Sequence, residues 1–196
     1  MFADIICPFA YVGLTRLIAK RDELARHDVR FRIRSWPLEL VNGKPVDAHF
    51  IGEEVDEMKP QVAPDLFAGF NPDAFPTTTL PALALTAAAY AVDDATGESV
   101  AMELRRLVFE HGRDVSDPAV LGDVAQQHGL VDVGTTDTVL TDFAEGRARG
   151  VIGSPHFFVE DTSAFCPVLD IRRVDGVLQV RVDQQAYDDF IAVCFA

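Results

Sequence analysis

The chain has 196 residues, of which 48% are hydrophobic and 24% charged, a composition that excludes a disordered protein. Its 31 acidic and 17 basic side chains give a formal net charge of -14, so its surface repels nucleic-acid phosphates and anionic membranes. The longest apolar run, residues 80–92, contains a proline and is shorter than the roughly 20 residues that a membrane-spanning helix needs. We therefore expect neither nucleic acid nor a membrane as a partner.

The first 35 residues predict a strand, a helix and a second strand. The apolar run 2–6 ends at Cys7-Pro8, and apolar side chains then recur at helical spacing as far as Arg26. Residues 29–34 alternate apolar side chains with arginines, which is the period of a half-exposed strand. The short connection between the two strands predicts that they run parallel.

The middle of the chain predicts a connector followed by four helices. Seven of the eleven prolines fall within residues 37–81, which favours irregular chain with one short helix near residues 52–58 and a role as a lid. Helical patterns, with caps such as Asp117-Pro118 and helix-ending glycines, then predict an inserted helical subdomain. The four predicted helices cover residues 81–95, 98–111, 118–128 and 136–149.

The last 40 or so residues return to strand patterns. Residues 156–160 predict one strand, and residues 169–174 and 177–182 predict a hairpin closed by Asp175-Gly176. Residues 183–195 predict a final helix. The predicted order is therefore strand, helix, strand, a long helical insertion, strands and a closing helix.

The three cysteines, Cys7, Cys166 and Cys194, include no C-x-x-C pair and no zinc-ligand spacing. The five histidines include no pair at metal-binding helical spacing, so we expect no metal site. The chain shows no secretory signal pattern at Met1, and we expect a cytoplasmic location. Because the sequence holds no C-x-x-C pair, any thiol chemistry must begin with a single sulfur.

Cys7 is the first candidate for chemistry because Cys7-Pro8 lies between a predicted strand and the first turn of a helix. Unpaired N–H groups and the helix dipole favour negative charge there, so we expect the pKa of Cys7 to lie below that of a free thiol. The alternative is that Cys7 is a small buried apolar residue, which is the usual fate of a lone cysteine.

The second signal is Gly153-Ser154-Pro155, directly before the apolar strand at residues 156–159. A proline that opens a strand after a glycine-bearing turn is a site where a cis bond occurs. We predict that the Ser154-Pro155 bond is cis and that it lies across from Cys7.

Four runs occur in this order along the chain: Asp4-x-x-Cys7-Pro8-Phe9-Ala10-Tyr11-x-Gly13, Trp36-x-Leu38-Glu39-Leu40, Gly112-Arg113-Asp114-Val115-Ser116-Asp117-Pro118 and Gly150-x-x-Gly153-Ser154-Pro155. Together they resemble a family, the DsbA-like thioredoxin-fold proteins, over residues 2 to about 165. Within it the sequence is most similar to the FrnE-type branch, with kappa-class glutathione transferases and hydroxychromene-carboxylate isomerases as cousins.

The resemblance implies an α/β thioredoxin-like fold with an inserted all-helical subdomain, in one DsbA-like domain over residues 1–196. The thioredoxin-like parts are expected at residues 1–36 and 151–196, and the connector and helical insertion at residues 37–150.

The resemblance also implies that Cys7 is the attacking cysteine of an active-site motif that continues through Pro8 and Phe9. Pro155 matches the family's cis-proline, and Ser154 presents its backbone to the substrate. One departure is that Ala10 stands where redox members have a second cysteine. A mixed disulfide needs a second thiolate to resolve it, so the two-cysteine cycle cannot run.

Further candidates are His156, through its neighbour Pro155, and Trp36, which belongs to the second run. The resemblance places Cys166 within possible reach of Cys7, and the alternative is a structural thiol. Phe67, Phe70 and Phe75 would line a substrate mouth or, more simply, pack the connector onto the sheet. We expect Cys194 to belong to the core.

We therefore predict a thiol-disulfide oxidoreductase-like protein that uses Cys7 as a single nucleophile. Glutathione or mycothiol is the expected co-substrate, with no covalently bound cofactor. The substrate would be a small thiol or a small-molecule or protein disulfide, and the chain would be a monomer or a homodimer. One alternative is a kappa-type transferase or isomerase that uses glutathione or mycothiol. Another is a non-enzymatic binding or chaperone-like module that has lost its redox pair.

Overall fold

A computed structural model describes the whole chain, residues 1–196, and contains two separate sheets. The larger sheet has four strands in the order β2-β1-β3-β4, and the smaller one is the β5-β6 hairpin. The six strands are β1 (Phe2–Ala3), β2 (Arg34–Ser35), β3 (His156–Val159), β4 (Thr162–Phe165), β5 (Asp170–Val174) and β6 (Val177–Arg181).

The central strand β1 pairs parallel with β2 and antiparallel with β3, as a strand–helix–strand unit followed by a returning hairpin requires. Eight helices complete the fold, and a short 3₁₀ turn spans Pro72–Ala74. The helices are α1 (Pro8–Glu23), α2 (Leu38–Asn42), α3 (Ala48–Val62), α4 (Leu80–Val92), α5 (Asp94–Phe109), α6 (Pro118–Gln127), α7 (Thr136–Ala148) and α8 (Gln184–Cys194).

Four helices, α4 to α7, lie between β2 and β3, within a few residues of the predicted positions. Aspartates cap the starts of two of them: Asp93 accepts a hydrogen bond from Thr96 N and Asp117 accepts one from Ala119 N. Because caps and helical spacing are local signals, this part of the fold follows closely from the sequence.

The connector differs from its prediction. It holds two helices, and α3 runs for 15 residues rather than over the short stretch expected at residues 52–58. Asp47 caps α3 by accepting the Phe50 N–H, and Pro60, which has no N–H to donate, lies in the last turn, two residues before the helix ends at Val62. The many prolines in this segment therefore led to a prediction of more irregular chain than the structure contains.

The strand predicted at residues 29–34 shrinks to Arg34–Ser35. The reason is that side chains bind its backbone: Glu98 accepts the Phe31 N–H at 2.9 Å. Tyr90 accepts the Ile33 N–H at 3.0 Å and donates to the Phe31 carbonyl at 2.6 Å. Because these side chains satisfy the backbone groups, the segment does not need a strand partner.

The C-terminal hairpin forms the two-stranded sheet rather than extending the larger one, and the sequence missed β4. The side chain of Gln61, on α3, donates to the Leu178 carbonyl and accepts the Val180 N–H, both at 3.0 Å. The carboxylate of Glu57 accepts the Leu178 N–H at 3.0 Å. Helix α3 therefore takes the place of a third strand beside β6.

One cluster of 45 buried residues forms the main core. Phe67 and Phe75 belong to it, and Phe67 packs edge-on against Phe109 with ring centroids 5.3 Å apart. Phe70 stacks on Phe109 at 5.9 Å. These rings pack the connector onto α5 instead of lining a substrate mouth. None of the helices combines the length and the apolar character that a membrane span requires.

A buried ion pair ties α1 to α5 and to the segment before β2. Arg21 Nη1 donates to both carboxylate oxygens of Glu98, at 2.6 and 2.8 Å, and each side chain is about one-tenth exposed. Because Glu98 also accepts the Phe31 N–H, its removal leaves both a buried guanidinium and a backbone donor without a partner.

We therefore expect Glu98→Ala to lower the free energy of unfolding by about 3–5 kcal/mol, measured by urea denaturation. Glu23→Ala is the matched control, since the Lys20–Glu23 pair is exposed and should contribute less than about 1 kcal/mol. Equal, small losses for both variants would show that the buried pair does not join these segments.

Candidate active site around Cys7

Cys7 stands at the junction between β1 and α1, where it is the N-cap residue of the helix. Its backbone is extended, with φ -81° and ψ 110°, and its carbonyl accepts the Tyr11 N–H at 3.1 Å. Pro8 occupies the first helical position, where a missing N–H costs nothing. Cys7 is only 3% exposed. The strand–turn–helix predicted around Cys7 is thus present.

Ser154 faces Cys7 across the top of the sheet. The Cys7 thiol donates a hydrogen bond to the Ser154 carbonyl at 3.1 Å, and the Ser154 hydroxyl accepts the Asp4 N–H at 3.0 Å. The Ser154–Pro155 peptide bond is cis, the isomer predicted from the sequence. Two bonds from one residue therefore fix the loop before β3 against the segment that carries the sulfur.

A cavity of about 500 Å³ opens beside the Cys7 sulfur, and eight of its fifteen lining residues are hydrophobic. Pro8 and Phe9 from α1 line one side, and the connector lines another. Ser154 contributes from the loop before β3. The remaining lining residues are Leu38, Asn42, Lys44, Pro45, Val46, Asp47, Phe50, Ile51, Glu54, Phe165 and Ile171. The size and apolar character are those of a small-molecule site.

Phe165 reaches the cavity because Gly153 allows its ring to lie close to the backbone. A Cβ at position 153 would stand 2.6 Å from Phe165 Cε2. Any larger residue would therefore displace the ring that forms part of the wall.

Two charged residues lie buried beneath the junction. Asp4 is fully buried, and its carboxylate accepts the Leu38 N–H at 2.6 Å and the Ile6 N–H at 3.4 Å. Burial raises the pKa of Asp4 to about 6. Arg105, on α5, is also fully buried and donates to the carbonyls of Ala101 and Asp4 at 2.7 and 3.1 Å. Its Nε has no hydrogen-bond partner.

The prediction of a lowered pKa for Cys7 is wrong. Burial raises the pKa of the Cys7 thiol to about 11. Hydrogen bonds with Ser154 and the Ala10 backbone lower this pKa, while the charges of Asp4 and Glu54 raise it further. The helix N-terminus does not outweigh the loss of water around the sulfur. In the resting state Cys7 is therefore a neutral thiol.

Cys166 is hydrogen-bonded to the same Ser154–Pro155 loop. Its backbone N–H donates to the Pro155 carbonyl at 2.9 Å, directly after β4, whose Phe165 is paired with His156. Cys166 is 7% exposed, and all three cysteines carry free thiols. Burial first, and then the charge of Cys7, raises the pKa of Cys166 to about 12. The fold thus brings the first two thiols to the same loop without joining them.

The other predicted site residues do not line the cavity. His156 is buried, with Nδ1 accepting the Ile152 N–H at 3.2 Å and Nε2 2.7 Å from the Ser163 hydroxyl oxygen. Trp36 is 4% exposed and packs against Phe143 with ring centroids 4.9 Å apart. Ala10 is fully buried in α1. Pro155 supports the loop through its carbonyl. Cys194 is partly buried and packs against the edge of the core.

Sequence reasoning missed the connector side of the cavity. Phe50, Ile51 and Glu54 project from α3, which was expected only in part. Their helical spacing after the Asp47 cap is the signal that would have found them. Phe165 and Ile171 come from the two hairpins, and no local pattern connects them to Cys7.

We expect the rate of Cys7 alkylation by iodoacetamide to keep rising between about pH 7 and pH 10, in a background of Cys166→Ser and Cys194→Ser. The reason is that a pKa raised to about 11 leaves the thiol largely protonated through this range. A short peptide with one cysteine is the control, and its rate should level off near the pKa of a free thiol, about 8.5. A midpoint for Cys7 at or below that of the peptide would contradict the burial argument.

Comparison with known proteins places this geometry in a known fold. The profile of the DSBA-like thioredoxin domain matches residues 1–179. Sequence comparison with curated proteins gives no match. Among solved structures, the cytosolic disulfide reductase DsbM from Pseudomonas aeruginosa is similar with a TM-score of 0.61 and 20% identity, covering 97% of this chain and 93% of its own.

A 2-hydroxychromene-2-carboxylate isomerase is similar with a TM-score of 0.58 and 14% identity, covering 84% of this chain and 86% of its own. At these identities the structures show a shared fold. The predicted DsbA-like thioredoxin fold with a helical insertion is therefore confirmed. Because the family profile matches residues 1–179 of 196, this chain belongs to the DSBA-like thioredoxin domain family.

Proposed function

We propose that this protein carries out thiol-disulfide chemistry with Cys7 as its single nucleophile and a low-molecular-weight thiol as co-substrate. The observation that carries the proposal is the position of the Cys7 sulfur, at the start of α1 and on an apolar cavity of about 500 Å³. Within the family we assign the chain to the FrnE-type branch and to the cytoplasm.

The reaction begins when the Cys7 thiol gives its proton to water, which breaks its hydrogen bond to the Ser154 carbonyl. The thiolate attacks one sulfur of a disulfide R–S–S–R′, so a bond forms between Cys7 and R–S while the S–S bond breaks. The leaving thiolate R′–S⁻ takes up a proton. The thiolate of glutathione or mycothiol then attacks the R–S sulfur of the mixed disulfide and releases Cys7 as a thiolate, which regains a proton.

The external thiol is needed because Ala10 supplies no second sulfur one turn along α1. In the overall exchange, the substrate disulfide is consumed and a disulfide of the co-substrate with R–S is formed. The raised pKa of Cys7 makes its thiolate scarce but intrinsically more nucleophilic, so we expect slow turnover at neutral pH.

The protonated state of Cys7 favours a second candidate, a kappa-type transferase or isomerase. A neutral thiol that already donates to the Ser154 carbonyl is equally able to donate to the thiolate sulfur of a bound glutathione or mycothiol. In that case Cys7 holds the cofactor and forms no covalent bond. Cys7→Ser then keeps activity, because a hydroxyl also donates a hydrogen bond.

We expect intact-mass analysis to show one added thiol on the wild type after incubation with glutathione disulfide or mycothiol disulfide, and none on Cys7→Ser. The reason is that Cys7 is the thiol that lines the cavity. Reduced thiol should remove the adduct. Cys194→Ser is the matched control and should behave like the wild type, since Cys194 lies outside this cavity.

Equal labelling of the wild type and Cys7→Ser would overturn the assignment of Cys7. The Cys166→Ser variant shows whether the mixed disulfide at Cys7 is resolved by an added thiol or by Cys166 of the same chain. If only that variant accumulates the adduct, while the wild type forms a Cys7 to Cys166 crosslink in peptide mapping, Cys166 resolves the adduct and the single-thiol cycle is wrong. Indifference of every activity to Cys7→Ser, without a thiol requirement, would favour a non-enzymatic binding or chaperone-like module.

We expect Ala10→Cys to lose the mixed-disulfide adduct that the wild type retains, because the introduced thiol lies one helical turn from Cys7 and can resolve it. Mass spectrometry should then show an internal disulfide, two hydrogens lighter than the reduced protein. Ala19→Cys, on the exposed side of α1, is the control and should keep the adduct at Cys7. Retention of the adduct by both variants would show that position 10 cannot reach the sulfur.

A further inference from the structure

The route to the Cys7 sulfur passes through the cavity. Cys7 and Ile51 are each 3% exposed, which places them at its closed end. Phe50 and Phe165 are 46% and 47% exposed and stand at the mouth. A reacting disulfide must therefore enter this cavity, whose lining includes two exposed aromatic rings, to reach a sulfur that is itself almost fully buried.

The wall that restricts this route is held in place by specific hydrogen bonds. The Asp4 carboxylate accepts the Leu38 N–H at 2.6 Å, which fixes the start of α2. Glu39 accepts the Thr78 hydroxyl at 2.7 Å and the Thr79 N–H at 2.8 Å, which ties α2 to the start of α4. Helix α2, which contributes Leu38 and Asn42 to the cavity, is therefore tied both to the segment that carries Cys7 and to the start of α4.

The size of the cavity limits what can enter. About 500 Å³ lies within the range of sites that enclose a drug-sized molecule. In a folded protein, each cysteine of a disulfide continues into polypeptide chain on both sides. These chain segments are too bulky to enter the cavity together with the sulfur. A small organic disulfide carries only its own substituents.

Eight of the fifteen lining residues are hydrophobic, and two of the three charged ones already have partners. Glu54 pairs with Arg173 at 3.4 Å, and Asp47 caps α3 by accepting the Phe50 N–H at 3.0 Å. The closed end therefore favours an apolar group on the sulfur that meets Cys7, with polar parts of the substrate left at the mouth.

We propose that Cys7 reacts faster with small organic disulfides whose sulfur carries an apolar, aromatic-sized group than with polar ones, and that it excludes disulfides of folded proteins. This inference rests on the proposed function, since it names the substrate of the same thiol. The exchange step is the one already written: the sulfur that carries the apolar group becomes bonded to Cys7, the other half of the disulfide leaves as a thiolate, and the co-substrate thiol then releases Cys7.

The test compares three disulfides: dithiodipyridine, which is aromatic, dithiodiethanol, which is small and polar, and insulin. Rates of reaction at Cys7 are measured in the Cys166→Ser, Cys194→Ser background and divided by the rate of N-acetylcysteine with the same disulfide. We expect the normalised rate to fall from dithiodipyridine to dithiodiethanol, and to be at least about 100-fold lower for insulin than for dithiodipyridine.

Two variants test the cavity itself. Val46→Trp adds a large ring at the half-buried wall and should reduce the dithiodipyridine rate about tenfold, whereas Val41→Trp, outside the cavity, should not. Phe165→Ala opens the exposed mouth and should raise the normalised insulin rate about tenfold. The melting temperature of each variant checks that it is folded. If Val46→Trp does not fold, the insulin rate of Phe165→Ala alone tests whether the cavity restricts access.

The outcomes separate this inference from the proposed function. If Cys7 reacts with none of the disulfides, both are overturned. If Cys7 reacts with all three at equal normalised rates, the proposed function stands and the size restriction is wrong. A normalised rate for dithiodiethanol above that for dithiodipyridine would overturn the apolar substrate class.

Discussion

Asp4 uses its backbone N–H, its carbonyl and both carboxylate oxygens to hold four separate parts of the chain. Its N–H donates to the Ser154 hydroxyl, and its carbonyl accepts a hydrogen bond from the Arg105 guanidinium. Its carboxylate accepts the backbone N–H groups of Ile6 and Leu38. These partners belong to the loop before β3, to α5, to the Cys7 turn and to α2. Since Asp4 is fully buried, each of these bonds is shielded from water. The position of the sulfur and of the cavity wall both depend on this residue.

The same arrangement works against ionisation of the thiol. A carboxylate enclosed beneath Cys7 adds negative charge to a site that burial already makes unfavourable for a thiolate. Arg105 brings a positive charge to the same region, but it bonds carbonyl oxygens and not the carboxylate. The junction thus favours fixed geometry over a reactive resting sulfur.

Local signals in the sequence were sufficient for the first strand and helix, the four inserted helices and the cis bond at Ser154–Pro155. They failed where distant side chains decide the outcome. Residues 29–33 have strand periodicity, yet Glu98 and Tyr90 bind their backbone. The pKa of Cys7 follows from enclosure by the connector and by Phe165, which lies far along the chain. A helix start alone contains none of this information.

The attachment of the β5-β6 hairpin to α3 divides the site between independent parts of the chain. Gln61 and Glu57 hold β6 by side-chain bonds, and the hairpin in turn brings Ile171 to the cavity and Arg173 to Glu54. Substitutions on the hairpin face can therefore reshape the space around a substrate without touching the strand–helix junction that carries the sulfur. The shape of the cavity thus depends on the C-terminal hairpin, while the position of the sulfur depends on the start of α1.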